Sequence, residues 1–195
     1  RAIIDGTTVT HSGTHTVARI EVRNGGRLEV GSGTLTSDGL AAVLPGSTLS
    51  VQGGTLRCLG PTLVIASTLN VSSGSLLLGT QPLWVGASST FTATGGLLAA
   101  DVPASPMSVT VHGALQAESL TVRNPNAAGF TVSRSGQIAH LRSCRFEGIA
   151  GGAGARLLSI EQDAMCLSAP NTFFARLPAA PTGFLRIAFS SSATI

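Results

Sequence analysis

GSTLSV, Gly46–Val51, reads as one short β-strand entered through a turn. Leu49 and Val51 fall on one side of an extended chain and Thr48 and Ser50 on the other, the alternation a strand adopts when only one face is buried. The same beat stands at GGRLEV (Gly25–Val30), ASTLNV (Ala66–Val71) and SSTFTA (Ser88–Ala93). Three apolar series carry it along the chain. Leu28, Leu49, Leu69, Phe91, Leu115 and Ile138 advance by 21, 20, 22, 24 and 23 residues; Leu35, Leu56, Leu76, Leu97, Leu120 and Leu141 by 21, 20, 21, 23 and 21; Val22, Val43, Val64, Val85, Val109 and Val132 by 21, 21, 21, 24 and 23. Their phases drift together, so they belong to one repeating unit.

Glycine pairs such as Gly25–Gly26, Gly53–Gly54 and Gly95–Gly96 punctuate the beats where the chain has to turn sharply. Three strands and three turns in about 21 residues make one coil, and no segment offers ten residues of helical apolar periodicity with caps. A single coil is too thin to hide its inward side chains, whereas stacked coils bury a continuous column and pair every strand with the ones before and after it. The expected fold is all-β: a parallel β-helix, or β-solenoid, of about 7–8 coils with roughly 21–24 residues each.

Composition narrows the function classes. The chain has 195 residues, suited to one domain, and is 43% hydrophobic but only 11% charged, with a net charge of +3. All 12 basic residues are arginine, scattered singly and without interleaved aromatics, which argues against nucleic acid as a partner. Between Arg57 and Asp101 no residue is charged, yet Gly, Ser, Thr and Pro break this stretch every few residues, so membrane insertion is not expected of it. The sequence opens on Arg1, without a signal peptide, and closes on Ile195. It reads as a piece of a longer chain: a lead-in over 1–15, Gly/Thr/Ser-rich coils over 16–116, and coils of another composition over 117–195.

The later coils contain SLTVRN (Ser119–Asn124) and HLRSCRF (His140–Phe146), which resemble the right-handed parallel β-helix repeat of pectin-lyase-like proteins. Ser143, Cys144 and Phe146 fit that repeat's turn residue, inward cysteine and inward phenylalanine; Asn124 fits the turn, but Pro125 after it departs from the repeat. The earlier coils, with GGTL (Gly53–Leu56) and SGSL (Ser73–Leu76), are similar to the β-helices of bacterial autotransporter passengers and large surface adhesins. The resemblance runs from about Thr16 to Ile195. It implies a right-handed β-helix and an extracellular or cell-surface setting.

The pectin-lyase-like resemblance also implies an enzyme, which would need carboxylates gathered at one pocket with a basic residue. The nine carboxylates are spread out. The densest group is Glu118, Arg123, Arg142, Arg145, Glu147, Glu161 and Asp163, which on neighbouring exposed strands reads as solubilising ion pairs. His11 and His15, in HSGTH, lack a zinc-helix glutamate and straddle Ser12–Gly13, so they read as surface histidines; His112 and His140 have no acid or nucleophile at a recognisable offset. Thr48, Thr68 and Thr90 align as an outward ladder beside Ser50, Asn70 and Thr92, but Arg27/Glu29 and Ala114/Gln116 bound it to three coils, too few for an ice-binding face. Asn70-Val71-Ser72 is a glycosylation sequon.

The expectation is therefore a non-enzymatic extracellular scaffold or adhesive segment of a large surface or filament-forming protein, with no cofactor and no metal. Its partners would be neighbouring coils or further copies end to end, or a cell-surface polysaccharide or other surface proteins. The alternative is a carbohydrate-binding or carbohydrate-active module, with Trp84, Arg123, Arg142, Arg145 and Glu147 as candidate surface contacts. Cys144 and Cys166, one 22-residue step apart, are expected one above the other, as a reduced core ladder or as a disulfide, with Cys58 alone. Both ends read as interfaces: Ala2–Ile4 at the start, and Phe184, Leu185, Ile187, Phe189 and Ile195, with no terminal cap, at the close.

Overall fold

The computed structural model describes residues 1–148, 155–161, 163–168, 170, 172–175 and 185–187. Every named strand in it lies parallel to its neighbours, about seven coils deep, and the described residues contain no helix. Three sheets form the walls. Sheet I runs Ala2–Asp5, Ile20–Arg23, Ala41–Val43, Thr62–Val64, Leu83–Val85, Met107–Val111, Pro125–Val132, Leu158–Ile160 and Leu185–Ile187. Sheet II runs Thr8–His11, Arg27–Val30, Thr48–Gln52, Thr68–Ser72, Thr90–Thr94, Ala114–Glu118, Gln137–Arg142 and Met165–Cys166. Sheet III runs Thr14–Val17, Thr34–Ser37, Thr55–Cys58, Ser75–Leu78, Leu97–Ala100, Thr121–Arg123, Arg145–Glu147 and Phe173–Ala175. Each coil thus contributes one short strand to each wall, as the period-two segments and intervening turns dictate.

The inward residues form one dry column. The first apolar series holds throughout, Leu28, Leu49, Leu69, Phe91, Leu115 and Ile138 pairing successively in sheet II with at most 2% exposure. The other two series need correcting after the fourth coil. Val85 pairs with Val111, and Val109 pairs with Leu83; in sheet III the inward line runs Leu76, Leu98, Val122, Phe146 instead of Leu76, Leu97, Leu120, Leu141. Leu141 belongs to sheet II, opposite Ala117. The cause is local lengthening. Asp101–Pro106 enters the corner before Met107, stretching the step from Val85 to Val111 to 26 residues, and the step from Val132 to Ile160 reaches 28. Phenylalanine takes over the column where coils lengthen: Phe91 and Phe130 stack at 6.2 Å between centroids, and Phe130 meets Phe146 edge-on at 6.1 Å.

The corners explain the change of composition near Ala117. Between sheets II and III the chain turns through a residue of positive φ (Gly53, Ser73, Gly95, Ser119, Ser143) followed by an inward one. That second residue is Gly54, Gly74 and Gly96 in the early coils and Leu120 and Cys144 in the later ones. Successive main chains approach closely at the glycines: a Cβ on Gly96 would stand 2.7 Å from the Gly74 carbonyl oxygen. Later coils replace that contact with buried side chains, Leu120 at 1% and Cys144 at 0% exposure. At the corner between sheets I and II, Ser67 and Ser89 are buried, their hydroxyls donating to the carbonyls of Val43 and Val64 at 2.9 Å. These bonds satisfy polar groups that dry packing would otherwise strand.

Candidate functional site

The residues expected to form one charged patch divide among three places. Glu147 and Arg145 project from the same strand of sheet III, and Arg123 is the register partner of Glu147 one coil earlier. Arg123 Nε and Nη2 lie 2.8 and 2.6 Å from Glu147 Oε1, and Arg145 Nε lies 2.6 Å from Oε2. The guanidinium of Arg145, then that of Arg123, holds the Glu147 carboxyl below its ordinary range against the opposing effect of burial. A carboxylate clamped this way stays ionised and is a weak base. Arg142 ends a sheet II strand beside Glu118 of the preceding coil, while Glu161 accepts from the Arg134 backbone N–H at 3.2 Å, and Asp163 stands exposed nearby in sequence. The cluster gathers no pair of carboxylates on one substrate.

Trp84 is on a different wall. Its neighbours Leu83 and Val85 are fully buried and it projects outward from sheet I, half-exposed, as the alternation predicts. It therefore shares no patch with Arg123, Arg145 and Glu147. The indole bends over Gly86, where an added Cβ would stand 2.8 Å from Cζ3, and meets the His112 imidazole at 5.2 Å between centroids, tilted 46°. His112 Nδ1 lies 2.7 Å from the Ser133 hydroxyl, itself 3.4 Å from that of Ser135. The sequence does not disclose this grouping, because Trp84, His112 and Ser133 come together only when three successive coils are stacked in the right register.

His15 is exposed, as expected, and His11 is half-buried. They pair with Val30 and Leu35 and so stand on the column side of the first coil, which no further coil covers here, their rings edge-to-face at 5.1 Å and His11 Nε2 buried and unpartnered. His140 is half-buried in sheet II opposite Gln116. The threonine ladder forms as expected, Thr48, Thr68 and Thr90 pairing in order between Arg27 and Ala114. Its neighbouring row is tied internally, with Gln52 and Asn70 amides donating to Ser50 Oγ at 3.0 and 3.2 Å.

The cysteine expectation is overturned by the 28-residue step. Cys166 pairs with Ile138 in sheet II, whereas Cys144 sits at the corner leading into sheet III, so the two do not stack. The side chain of Cys166 lies outside the described residues. Cys144 and Cys58 are free and buried, and burial pushes the Cys58 thiol up to about 11. Alkylation under denaturing, non-reducing conditions is expected to add three labels by intact mass; a single label would mean a Cys144–Cys166 bond and a different register.

Two arginine clusters were not legible in the sequence. Arg1, Arg19 and Arg23 converge on Glu21, and Arg23 also reaches Asp5. Arg57 grips Asp101 with two bonds of 2.7 and 2.8 Å, passing over the row that holds Leu77 in the intervening coil. The Arg57 hydrogen bonds keep the Asp101 carboxyl below its usual range although burial pushes it up. With its folded value below the unfolded one of about 3.9, the pair's contribution is complete above that pH and is lost as pH falls through the folded value. Asp101→Asn is expected to cost about 1–2 kcal/mol at pH 7, since Arg57 remains 40% exposed and partly screened. Urea unfolding should show this gap from wild type narrowing as pH falls below about 3.9; a gap independent of pH would contradict the assignment.

Among the described residues no group of three or more His, Cys, Asp or Glu side chains is placed to hold a metal ion, and no helix is long and apolar enough to cross a membrane. Compared with known proteins, the chain matches no family model, no curated protein and no solved structure.

Proposed function

We propose that this chain is a non-enzymatic structural segment: a run of coils serving as a spacer and adhesive module within a longer extracellular surface or filament-forming protein. The resemblance of its glycine- and threonine-rich coils to autotransporter passengers and surface adhesins agrees with this reading. The observation that carries it is the stacking itself: all three sheets pair coil on coil around one continuous apolar column. Ala2–Asp5, Thr8–His11 and Thr14–Val17 are edge strands of all three sheets at once, and above them the column ends in Val9, 41% exposed, with His11 and His15. A second copy that stacks on these three strands would cover Val9 and continue the column.

Size-exclusion chromatography with light scattering tests the reading. The chain is expected to associate as its concentration rises, and Val9→Asp, which puts a charge in the end of the column, is expected to suppress association. A wild-type chain that stays monomeric at high micromolar concentration would contradict the scaffold reading. The carbohydrate-binding alternative is favoured by the grouping of Trp84 with His112.

A further inference from the structure

We propose that Trp84, His112 and the hydroxyls beside them form a platform for a neutral sugar ring of a polysaccharide chain. This deepens the adhesive part of the function proposed above by assigning it a ligand class and a face. Three independent features of the molecule carry it.

The first is shape. Trp84 stands outward between Leu63 and Thr110 in the register of sheet I, with Ile65, 38% exposed, in the corner one coil earlier. The indole is held from beneath by the bare backbone of Gly86 and from the side by His112. An aromatic ring fixed before the ligand arrives loses little freedom on binding. It offers the flat apolar surface against which the C–H face of a pyranose packs.

The second is polarity. Leu63, Ile65 and Trp84 lie to one side; Thr110, His112, Ser133 and Ser135 lie to the other. Ser133 is 5% exposed and its hydroxyl occupies His112 Nδ1, which leaves Nε2 as the imidazole nitrogen for a ligand. An apolar plane with a row of hydrogen-bonding groups along one margin matches a sugar ring, whose hydroxyls project around an apolar face.

The third is charge. No charged residue occurs between Arg57 and Asp101, and those two bind each other bidentately. The stacking side of the platform, Leu63, Ile65 and Trp84, thus lies in an uncharged stretch, and the exposed Arg134, between Ser133 and Ser135, is the cation at its polar margin. The uncharged stacking face favours a neutral ligand, and the anionic probe tests whether Arg134 draws an acidic one instead.

Trp84 is the sole tryptophan of the chain, so its fluorescence reports the platform directly. Neutral gluco-, manno- and xylo-oligosaccharides would be titrated into the full chain at low micromolar concentration, with oligogalacturonate as the anionic probe and light scattering on the same samples. At least one neutral series is expected to give a saturable change in emission while oligogalacturonate gives none. His112→Ala is expected to weaken that binding about tenfold with the emission of the free protein still measurable. On immobilised glycans Trp84→Ala is expected to abolish capture while Trp84→Phe retains part of it, both variants keeping the wild-type circular dichroism.

Any of three results would overturn the proposal: no saturable response to any neutral series up to millimolar concentration, preference for oligogalacturonate, or an emission change that tracks protein concentration alone and marks the face as a contact between copies. Association through the first coil is read separately by light scattering and does not depend on Trp84. A failed platform and a failed scaffold therefore give different outcomes.

Discussion

Phe130→Ala is expected to destabilise the protein by about 3–5 kcal/mol, the range for deleting a buried aromatic ring. At roughly 2–4 °C per kcal/mol for a chain of this length, the melting temperature should fall by about 6–20 °C. Phe130 is fully buried in sheet I and touches Phe91 of sheet II and Phe146 of sheet III, so its ring joins all three walls where the coils are longest. Shorter coils close around leucine and valine; the longer ones leave more interior to fill, and short strands cannot collapse inward without breaking register with both neighbours. Thermal unfolding followed by circular dichroism reads the effect. A drop of less than 2 °C would mean that these three rings do not form a shared core.

Gly96→Ala is expected to be comparably damaging for a different reason. Gly96 has a φ of +81°, where a side chain costs about 1–3 kcal/mol. Its added methyl would also press on the Gly74 carbonyl oxygen and on Val71 Cγ1 at 3.0 Å. Backbone cannot yield there without pulling apart the coil-to-coil hydrogen bond from Leu97 N–H to the Gly74 carbonyl, 2.9 Å long. Gly46 is the matched control: its φ is +75° but nothing lies within 4 Å of an added Cβ, so Gly46→Ala carries the dihedral strain alone. Denaturant midpoints should rank wild type, then Gly46→Ala, then Gly96→Ala. Equal losses at both positions would show that the close approach of coils contributes nothing.

The architecture was legible because the deciding signal is local and repeated. Alternation within GSTLSV defines a strand with one buried face, and recurrence near 21 residues leaves stacked coils as the way to bury it. Sheet II keeps its spacing from Leu28 to Ile138, and the count along the sequence matches the paired strands over that whole span. Sheets I and III do not, because an inserted corner such as Asp101–Pro106 shifts the frame while apolar residues recur every second position along a strand. A slip of two preserves the alternation, so Val109 looks as good a partner for Val85 as the true one, Val111. The bulge between Leu115 and Gln116 and the 28-residue step to Ile160 add further slips, and the supposed cysteine ladder falls with them.

Side-chain groupings were less legible than strands because they depend on register across coils. Arg57 and Asp101 stand 44 residues apart, two coils rather than one, and no search for pairs at a single repeat would join them. Trp84 is outward as its alternation requires, but its partner His112 sits just past the enlarged coil, where the expected phase has already slipped. His11 and His15 precede the counted series; the steps to Val30 and Leu35 are 19 and 20 residues, so their inward placement emerges only from the paired strands.

The register itself is the central claim, and distances along one outward row test it most directly. Thr8, Arg27, Thr48, Thr68, Thr90, Ala114 and Gln137 succeed one another coil by coil in sheet II. Nitroxide labels placed at Gln137 and, in turn, at Thr90, Thr48 and Thr8 span two, four and six coils. At a strand spacing of about 4.8 Å, pulsed electron paramagnetic resonance should return separations of about 10, 19 and 29 Å, after allowance for the label arms. Distances that fail to increase in even steps from Thr90 to Thr8 would contradict the stacked parallel coils on which every other statement about this protein depends.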